Sequence, residues 1–505
     1  MTVLNKTTIV AVALLGLMAT ATPAGAQSRA FSAFAPWDLH ATDVLDAADG
    51  KDPYDFELYA MFDQALESGT IQREYHCSNG RLLVPQTGGG YSATPKGQAG
   101  GVGGLANDGN CDSGEDRIVS AREMDYERVR RRLNVLARFG IYKDLEFHFF
   151  LPIILLDKST LKMASQSDRP GSLPLEAHCE AEAGGGATCS QSSVYREDSN
   201  NQPDDVNSFF RLPNKSPERA NVDNPTLGVW WAPFNDERDD TVATWRLGVD
   251  YTMNVVGRVK PEGKETVGQG YDELRASTAF SRRFEVMRPF MELSYSLSNL
   301  IEPSSTPFPS YNAGQTLVEP GDRLSVRFGS DVMAWEDTGV GQWFSLDFGG
   351  EFVYQFEGRD YTPLFSALGS SACNDRDDCA LTKLAGTDPS NNQQSLRSDG
   401  ITDVEQFGAL RGWLGFDVQP HKNVRFKARA VLAHQLAHFL TFADAGKDNG
   451  RQDVGETPTY NRGIIDPDTE EENPVFNQHM DLAGSRFRLA SHLDFGFFVT
   501  GAVVF

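Results

Sequence analysis

The sequence predicts an all-β protein, a closed antiparallel transmembrane β-barrel of about twelve strands. Three observations predict it. Twelve stretches alternate apolar with small or polar residues at a period of two, as strands with one greasy face do. The connections between them alternate strictly between short turns and long loops. The chain ends on such a stretch, Asp494 to Phe505, whose hydrophobic edge would be an aggregation hazard unless a partner closes it.

Taken in order, the chain opens with Lys6 as a positive n-region, Ile9 to Met18 as an apolar core and Ala24-Gly25-Ala26 as a small-residue cleavage site. Residues 1–26 therefore read as a signal peptide. No later segment approaches the roughly eighteen apolar residues that a membrane helix needs. A mean hydropathy of -0.39 is compatible with a barrel, because alternating strands average their hydropathy away. Residues 27–53, with Trp37 and Leu39 as anchors, read as a lead-in lying at the barrel mouth. Residues 54–505 form the barrel domain.

The first strand is read at Tyr54 to Asp63, where Phe56, Leu58, Ala60 and Phe62 share a face. Arg131 to Ile141 and Leu145 to Leu156 make the clearest hairpin, around a tight turn at Tyr142-Lys143-Asp144. Pro152 cannot donate to a ladder, so a bulge is expected near it. Further strands are read at Thr226 to Phe234, Thr241 to Asn254, Tyr271 to Arg282, Met287 to Ser298, Asp322 to Glu336 and Gln342 to Glu357. Val404 to Val418 and Val424 to Leu440 precede the last. Large loops are expected at about 66–123, 158–225, 359–403 and 441–493. The Gly runs at 88–91 and 97–104 lack the Lys-Ser/Thr of a phosphate-binding loop and read as loop.

In the terminal stretch, DFGFFVTGAVVF, Phe495, Phe497, Val499, Val503 and Phe505 share one parity with Gly501 between them. This ending resembles the C-terminal strand of bacterial outer-membrane β-barrel proteins. The resemblance implies a porin-like protein of the bacterial outer membrane, with both termini and the short turns periplasmic and the long loops extracellular. It also implies outer-membrane lipid and a barrel-insertion machinery, reached through the C-terminal strand, as partners. TonB-dependent receptors are set aside because residues 27–53 are too short for a plug domain. Autotransporters are set aside because no long passenger precedes the barrel.

A net charge of -24 argues against nucleic acid as a partner, since phosphate contacts need clustered Lys and Arg. The six cysteines fall into three local pairs, Cys77 with Cys111, Cys179 with Cys189 and Cys373 with Cys379. In an oxidising compartment these read as loop-stapling disulfides; the rival reading, a metal cluster, lacks any Cys-x-x-Cys.

Parity assigns Trp245, Leu247, Val249 and Tyr251, and Phe344, Leu346, Phe348, Phe352, Tyr354 and Phe356, to the lipid face. The candidate pore-lining residues are Arg132, Arg138, Arg246, Arg275, Arg327, Asp347, Glu351, Glu357, Arg411, Arg425, Lys427 and Arg429. The basic triplet Arg425, Lys427 and Arg429 and the acidic set Asp347, Glu351 and Glu357 are expected to stand on facing walls across a constriction. A charged lumen has two readings, a hydrated pore guiding small polar solutes or a salt-bridged filling.

Asp108, Asn110 and Asp112 place oxygen donors at alternate positions and form a candidate Ca²⁺ site, the rival reading being a solvated acidic loop. No other cofactor is expected. His434 and His438 fall on the outward parity, where headgroups rather than a metal would meet them. The leading function is a passive channel for small polar or ionic solutes. The alternative is a closed barrel presenting acidic, disulfide-stapled loops for surface binding. An outer-membrane enzyme comes third, with no local Ser/His or Asp/His signature to support it.

Overall fold

The computed structural model describes residues 43–45, 55–78, 81–85, 91–94, 117–164, 179–181, 187–189, 210, 212–299, 314–371, 383–387, 395–397, 399–447, 471, 473–477 and 480–504. Twelve staves form the barrel: β1 Phe56–Ser78, β2 Arg117–Tyr142, β3 Leu145–Met163, β4 Thr226–Phe234, β5 Thr244–Thr252 and β6 Glu273–Ser281. They continue as β7 Met287–Ser298, β8 Arg323–Asp337, β9 Gln342–Gln355, β10 Phe407–His421, β11 Val424–Gln435 and β12 Phe487–Val504. Each stave pairs antiparallel with the next in sequence. The ring closes where β12 pairs with β1, from Glu57 opposite Val504 to Arg73 opposite Phe487. The hydrophobic ending thus finds its partner at the start of the barrel, which closes the ring.

All twelve expected strands are present, and the turns at 143–144, 235–243, 282–286, 338–341 and 422–423 share one end of the barrel. Asp144 takes the left-handed conformation that the two-residue turn needs, φ 50°. The outward parity carries an apolar band: Leu58, Leu133, Phe139, Val249, Leu346, Phe348, Leu414, Leu432 and Phe495 are all exposed. Near the turn end the band is edged by Tyr142, Trp231, Trp335 and a stack of Trp245 on Phe280 at 5.9 Å. Near the loop end Tyr295, Tyr354 and Phe356 form the second girdle. An apolar belt between two aromatic rims is what a lipid bilayer selects.

The staves differ in height. β4, β5 and β6 have nine residues each, about what a bilayer crossing takes. β1 has 23 and β2 has 26, so one side projects well beyond the band at the loop end. Hence the loops expected at 66–123 and 158–225 begin later, and those at 66–123 and 441–493 end earlier, than predicted, the ladder running on through Ile71 opposite Met124. Above the band the outward positions are Gln72, Arg122, Asp125 and Glu127, so the apolar alternation fades while the backbone pairing continues. The bulge expected near Pro152 lies at Leu155, where the β2–β3 register shifts between Arg131 and Arg132.

Loop segments lean on this tall wall. Phe210 and Leu212, a short helix Phe365–Gly369, Leu440 and Met480 bury apolar side chains against Ile71, Met124, Tyr126, Leu161, Phe487 and Leu489. β4 reaches β3 only over Leu145 to Phe150. Above that, residues Arg219–Val222 return along β3, and Arg219 donates to the carbonyls of Lys260, Pro261 and Gly263.

Candidate functional site

The inner wall is the candidate site, and strand parity puts the charges there. Arg132, Arg138, Arg246, Arg275, Arg327, Asp347, Arg411, Lys427 and Arg429 are all buried inside the barrel. Glu351 and Arg425 also face inward and are partly exposed. Glu357 departs from the expectation. β9 ends at Gln355, and Glu357 sits exposed in the bend beyond, so it leaves the inner wall.

At the turn end, Arg138 Nη1 donates to Glu57 Oε2 at 2.5 Å and its Nη2 to Glu146 Oε2 at 2.6 Å. Arg425 forks onto Asp417, with Nη2 at 2.8 Å, and lies over the Trp343 ring at 4.8 Å. A cavity of about 300 Å³ opens beside them, lined among others by Arg288, Asp331, Trp343, Asp417, Arg425 and Lys427.

The middle layer is tight. Asp347 accepts from Arg429 Nε at 2.8 Å and Trp413 Nε1 at 2.9 Å, with Lys427 Nζ at 3.2 Å. Arg246 and Arg275 share Glu292, and Arg275 also holds Asp250 at 3.0 Å. Asp250 in turn meets His148 at 2.9 Å and Trp230 Nε1 at 3.1 Å. Arg327 lies over Trp413 and Phe290, and Arg246 over Trp230 at 4.2 Å. Glycines let these rings lie flat on the wall. A Cβ at Gly349 would stand 2.2 Å from Trp413 Cζ2, and one at Gly248 2.9 Å from Trp230 Cδ1.

This arrangement corrects the facing-walls expectation. Only β10 separates β9 from β11, and Lys427 and Arg429 reach across it to Asp347 directly. The two sets stand on the same wall and neutralise each other, so no transverse field separates them. Arg425 couples to the group through Asp417, while Glu351 pairs with Arg411 at 3.0 Å further up.

Toward the loop end, Arg128 forks onto Asp157 at 2.5 and 2.6 Å and reaches Glu67 at 3.4 Å. Arg132 holds Asp63, which also accepts from Asn134. Glu67 and Asp494 are direct cross-strand neighbours. Glu67 Oε2, Asp494 Oδ1, Tyr126 Oη and both ring nitrogens of His492 are buried and make no hydrogen bond with the protein. Arg128 and Arg130 were missed in the sequence because β2 was read from Arg131. Their signal was present in RVRRR, where Arg128, Arg130 and Arg132 alternate in phase with the inner face.

His434 is exposed on the outer face, its Nδ1 at 3.0 Å from the His492 carbonyl. His438 corrects its outward assignment. The stave ends at Gln435, the parity lapses, and His438 is buried with its ring stacked on Phe407 at 3.8 Å. Among the described residues no trio of His, Cys, Asp and Glu could hold a metal ion. Asp108, Asn110, Asp112, Cys111, Cys373 and Cys379 lie outside the described residues. Of Cys77, Cys179 and Cys189 the backbone alone is described, and it sets Cys179 opposite Cys189 in a short hairpin.

Among solved structures the chain is similar to an outer membrane channel from Pseudomonas putida F1, at 10% identity over 88% of this chain and 95% of that one, TM-score 0.31. It is also similar to a FadL homologue of Pseudomonas aeruginosa, at 9% identity over 89% and 90%, TM-score 0.28. An anion-selective porin from Comamonas acidovorans matches at 10% identity over 90% and 100%, TM-score 0.18. Neither a family model nor a curated protein matches the sequence. Likenesses this remote assign no role. The class rests on the molecule itself: a closed twelve-stave barrel, apolar and aromatic-rimmed outside and charged inside, is a barrel of the bacterial outer-membrane type.

Proposed function

We propose that this barrel is an outer-membrane channel for small polar or ionic solutes, narrow and closed by ion pairs at rest. Its termini and short turns face the periplasm and its long loops the exterior. One observation carries the reading. The inner wall toward the loop end presents buried polar atoms without hydrogen bonds to the protein, Glu67 Oε2, Asp494 Oδ1, Tyr126 Oη and His492 Nδ1 and Nε2, with Glu67 Oε2 and His492 Nε2 3.9 Å apart. Buried polar groups require hydrogen bonds, so this stretch calls for water or a polar solute. At the other end lies the cavity of about 300 Å³, charged along its lining. A polar cavity at one end and buried polar atoms without hydrogen bonds at the other, with ion pairs between them, favour a gated conduit over a solid filling.

A second reading, a closed barrel displaying its loops, is favoured by the apolar cap of Phe210, Leu364, Leu368 and Met480 on the tall wall. In that reading the acidic loops, stapled by the three disulfides, bind Ca²⁺ or a surface. Single-channel recording of the refolded chain in a planar bilayer separates the two. The channel reading expects discrete, small and infrequent steps. A folded barrel that stays silent under every salt and voltage would leave the display reading.

A further inference from the structure

We propose that the outer wall carries a binding pocket for the uncharged sugar headgroup of a glycolipid, set at the loop-end edge of the apolar band where the barrel closes. The proposal concerns the lipid face and goes beyond the channel reading.

The backbone makes the hollow. At Ile71 the register of β1 slips on both sides, between Thr70 and Ile71 against β12 and between Ile71 and Gln72 against β2. Ala490 on β12 and Glu123 on β2 are the extra residues. A bulge bends its strand and re-aims the side chains beside it. Two bulges at one level leave a concavity of about 280 Å³ on the outer face, spanning β11, β12, β1 and β2.

Its lining mixes donors with acceptors. Ser68 and Thr70 on β1 and Ser491 on β12 bring hydroxyls, while Asp125 and Glu127 on β2 bring carboxylates. Arg122 on β2 and His434 on β11 complete the set. Arg122 Nε and Nη2 donate to Asp125 Oδ1 at 3.0 and 2.6 Å, and Lys162 Nζ donates to Glu127 Oε1 at 2.6 Å. These bonds fix both carboxylates and leave the second oxygen of each to accept from a ligand.

Position selects an amphiphile. Directly toward the turn end the ladder sets His434 opposite Leu493 and Leu432 opposite Phe495. Leu432, Leu493 and Phe495 are 53, 46 and 45% exposed on the lipid face. A molecule with its head between Ser68, Asp125 and Ser491 therefore lays its apolar chains on the band, where such chains belong. The charges select the head. A carboxylate only accepts and a guanidinium only donates, whereas a hydroxyl does both. A phosphate would meet the carboxylates of Asp125 and Glu127, and an ammonium would meet Arg122 and Lys162. A sugar's hydroxyls satisfy both kinds of partner and bring no charge.

Native mass spectrometry of the refolded full chain, released from phosphocholine micelles, reads the preference. Offered equal amounts of monogalactosyl diacylglycerol and phosphatidylglycerol of the same chain length, the native chain should retain the galactolipid about tenfold over the phospholipid. Ser491→Trp fills the hollow from an exposed position and should abolish that preference. Asp125→Asn, which keeps the volume, should reduce it several-fold, and an unchanged β-sheet circular dichroism signal checks that each variant is folded. Equal retention of the two lipids by the native chain would overturn the pocket and leave a solvated rim. Preferred retention of phosphatidylglycerol would overturn the uncharged head. A galactolipid preference that survives in both folded variants would place the lipid elsewhere and overturn the pocket as well. A galactolipid preference lost in the variants, in a barrel that never conducts, would remove the channel reading and keep the pocket.

Discussion

Asp347 shows how one residue can hold a whole layer of the lumen. Its two carboxylate oxygens gather a guanidinium, an ammonium and an indole N–H from β10 and β11, and the side chain has almost no exposure. Burying such a charge is costly in itself, and the partners offset that cost only as a set. Replacing Asp347 by Leu removes the carboxylate that Arg429 and Lys427 share, leaving Lys427 with the more distant Asp417 at 3.8 Å. The variant should lose about 3–5 kcal/mol, the range for removing one member of a buried pair. Adding Arg429→Met and Lys427→Met to Asp347→Leu should recover most of the loss, since an apolar layer of similar volume is neutral or better. Thermal unfolding followed by the β-sheet circular dichroism signal measures both. A single variant as stable as the native chain would show that the layer contributes nothing to closing the barrel.

At the scale of elements, the staves were legible and the cap was not. A stave facing lipid must alternate, so Trp245, Leu247, Val249 and Tyr251 declare β5 in the sequence alone, and its partner stave follows from the short turn. The tall wall is held by backbone ladders whose outward face is polar, at Gln72, Arg122, Asp125 and Glu127, a bond pattern that an outward hydrophobic stripe does not announce. Arg128 and Arg130 were hidden for that reason. Asp43 was hidden because a lead-in carries no periodicity, and the arginines it meets, Arg138 and Arg425, lie some 95 and 382 positions away in the chain.

The cap has its own chemistry, legible only in three dimensions. Burial of Asp403 pushes its carboxyl up to about 6, and the neighbouring Arg359 at 2.9 Å reverses only part of that. Burial also raises Asp481 well above the usual range, despite the Asn477 and Ala443 amides that donate to it. A carboxyl raised on folding binds more protons in the folded state, so its contribution is fully present below the unfolded value, about 4, and is lost as pH rises through the folded value. The cap should therefore be firmest near pH 4 and loosen toward about pH 7. Hydrogen exchange of peptides covering 364–369 and 401–404, corrected for intrinsic rates, should show faster opening at the higher pH. Asp403→Asn should flatten much of that dependence. Opening that slows as pH rises would reverse the sign and remove Asp403 and Asp481 as its source.

For the whole molecule the informative contrast is between its net charge and its lumen. The chain carries -24, yet the inner-wall cations stand beside carboxylates: Arg128 with Asp157, Arg132 with Asp63, Arg138 with Glu57 and Glu146, Arg246 and Arg275 with Glu292, Arg411 with Glu351. The surplus negative charge thus belongs mainly outside the barrel lumen, in the lead-in and loops. Charges outside a path act on permeant ions only through a field that salt screens, over about 3 Å at 1 M and about 30 Å at 0.01 M. The lumen by itself, balanced pair by pair, offers neither sign an advantage. Ion selectivity should therefore depend on salt in a way a charged constriction would not. Under a tenfold KCl gradient centred near 1 M the reversal potential should lie close to zero, and centred near 0.01 M it should shift clearly toward cations. A strong preference that persists near 1 M would place unpaired charge in the narrowest part of the path and overturn the balanced lumen.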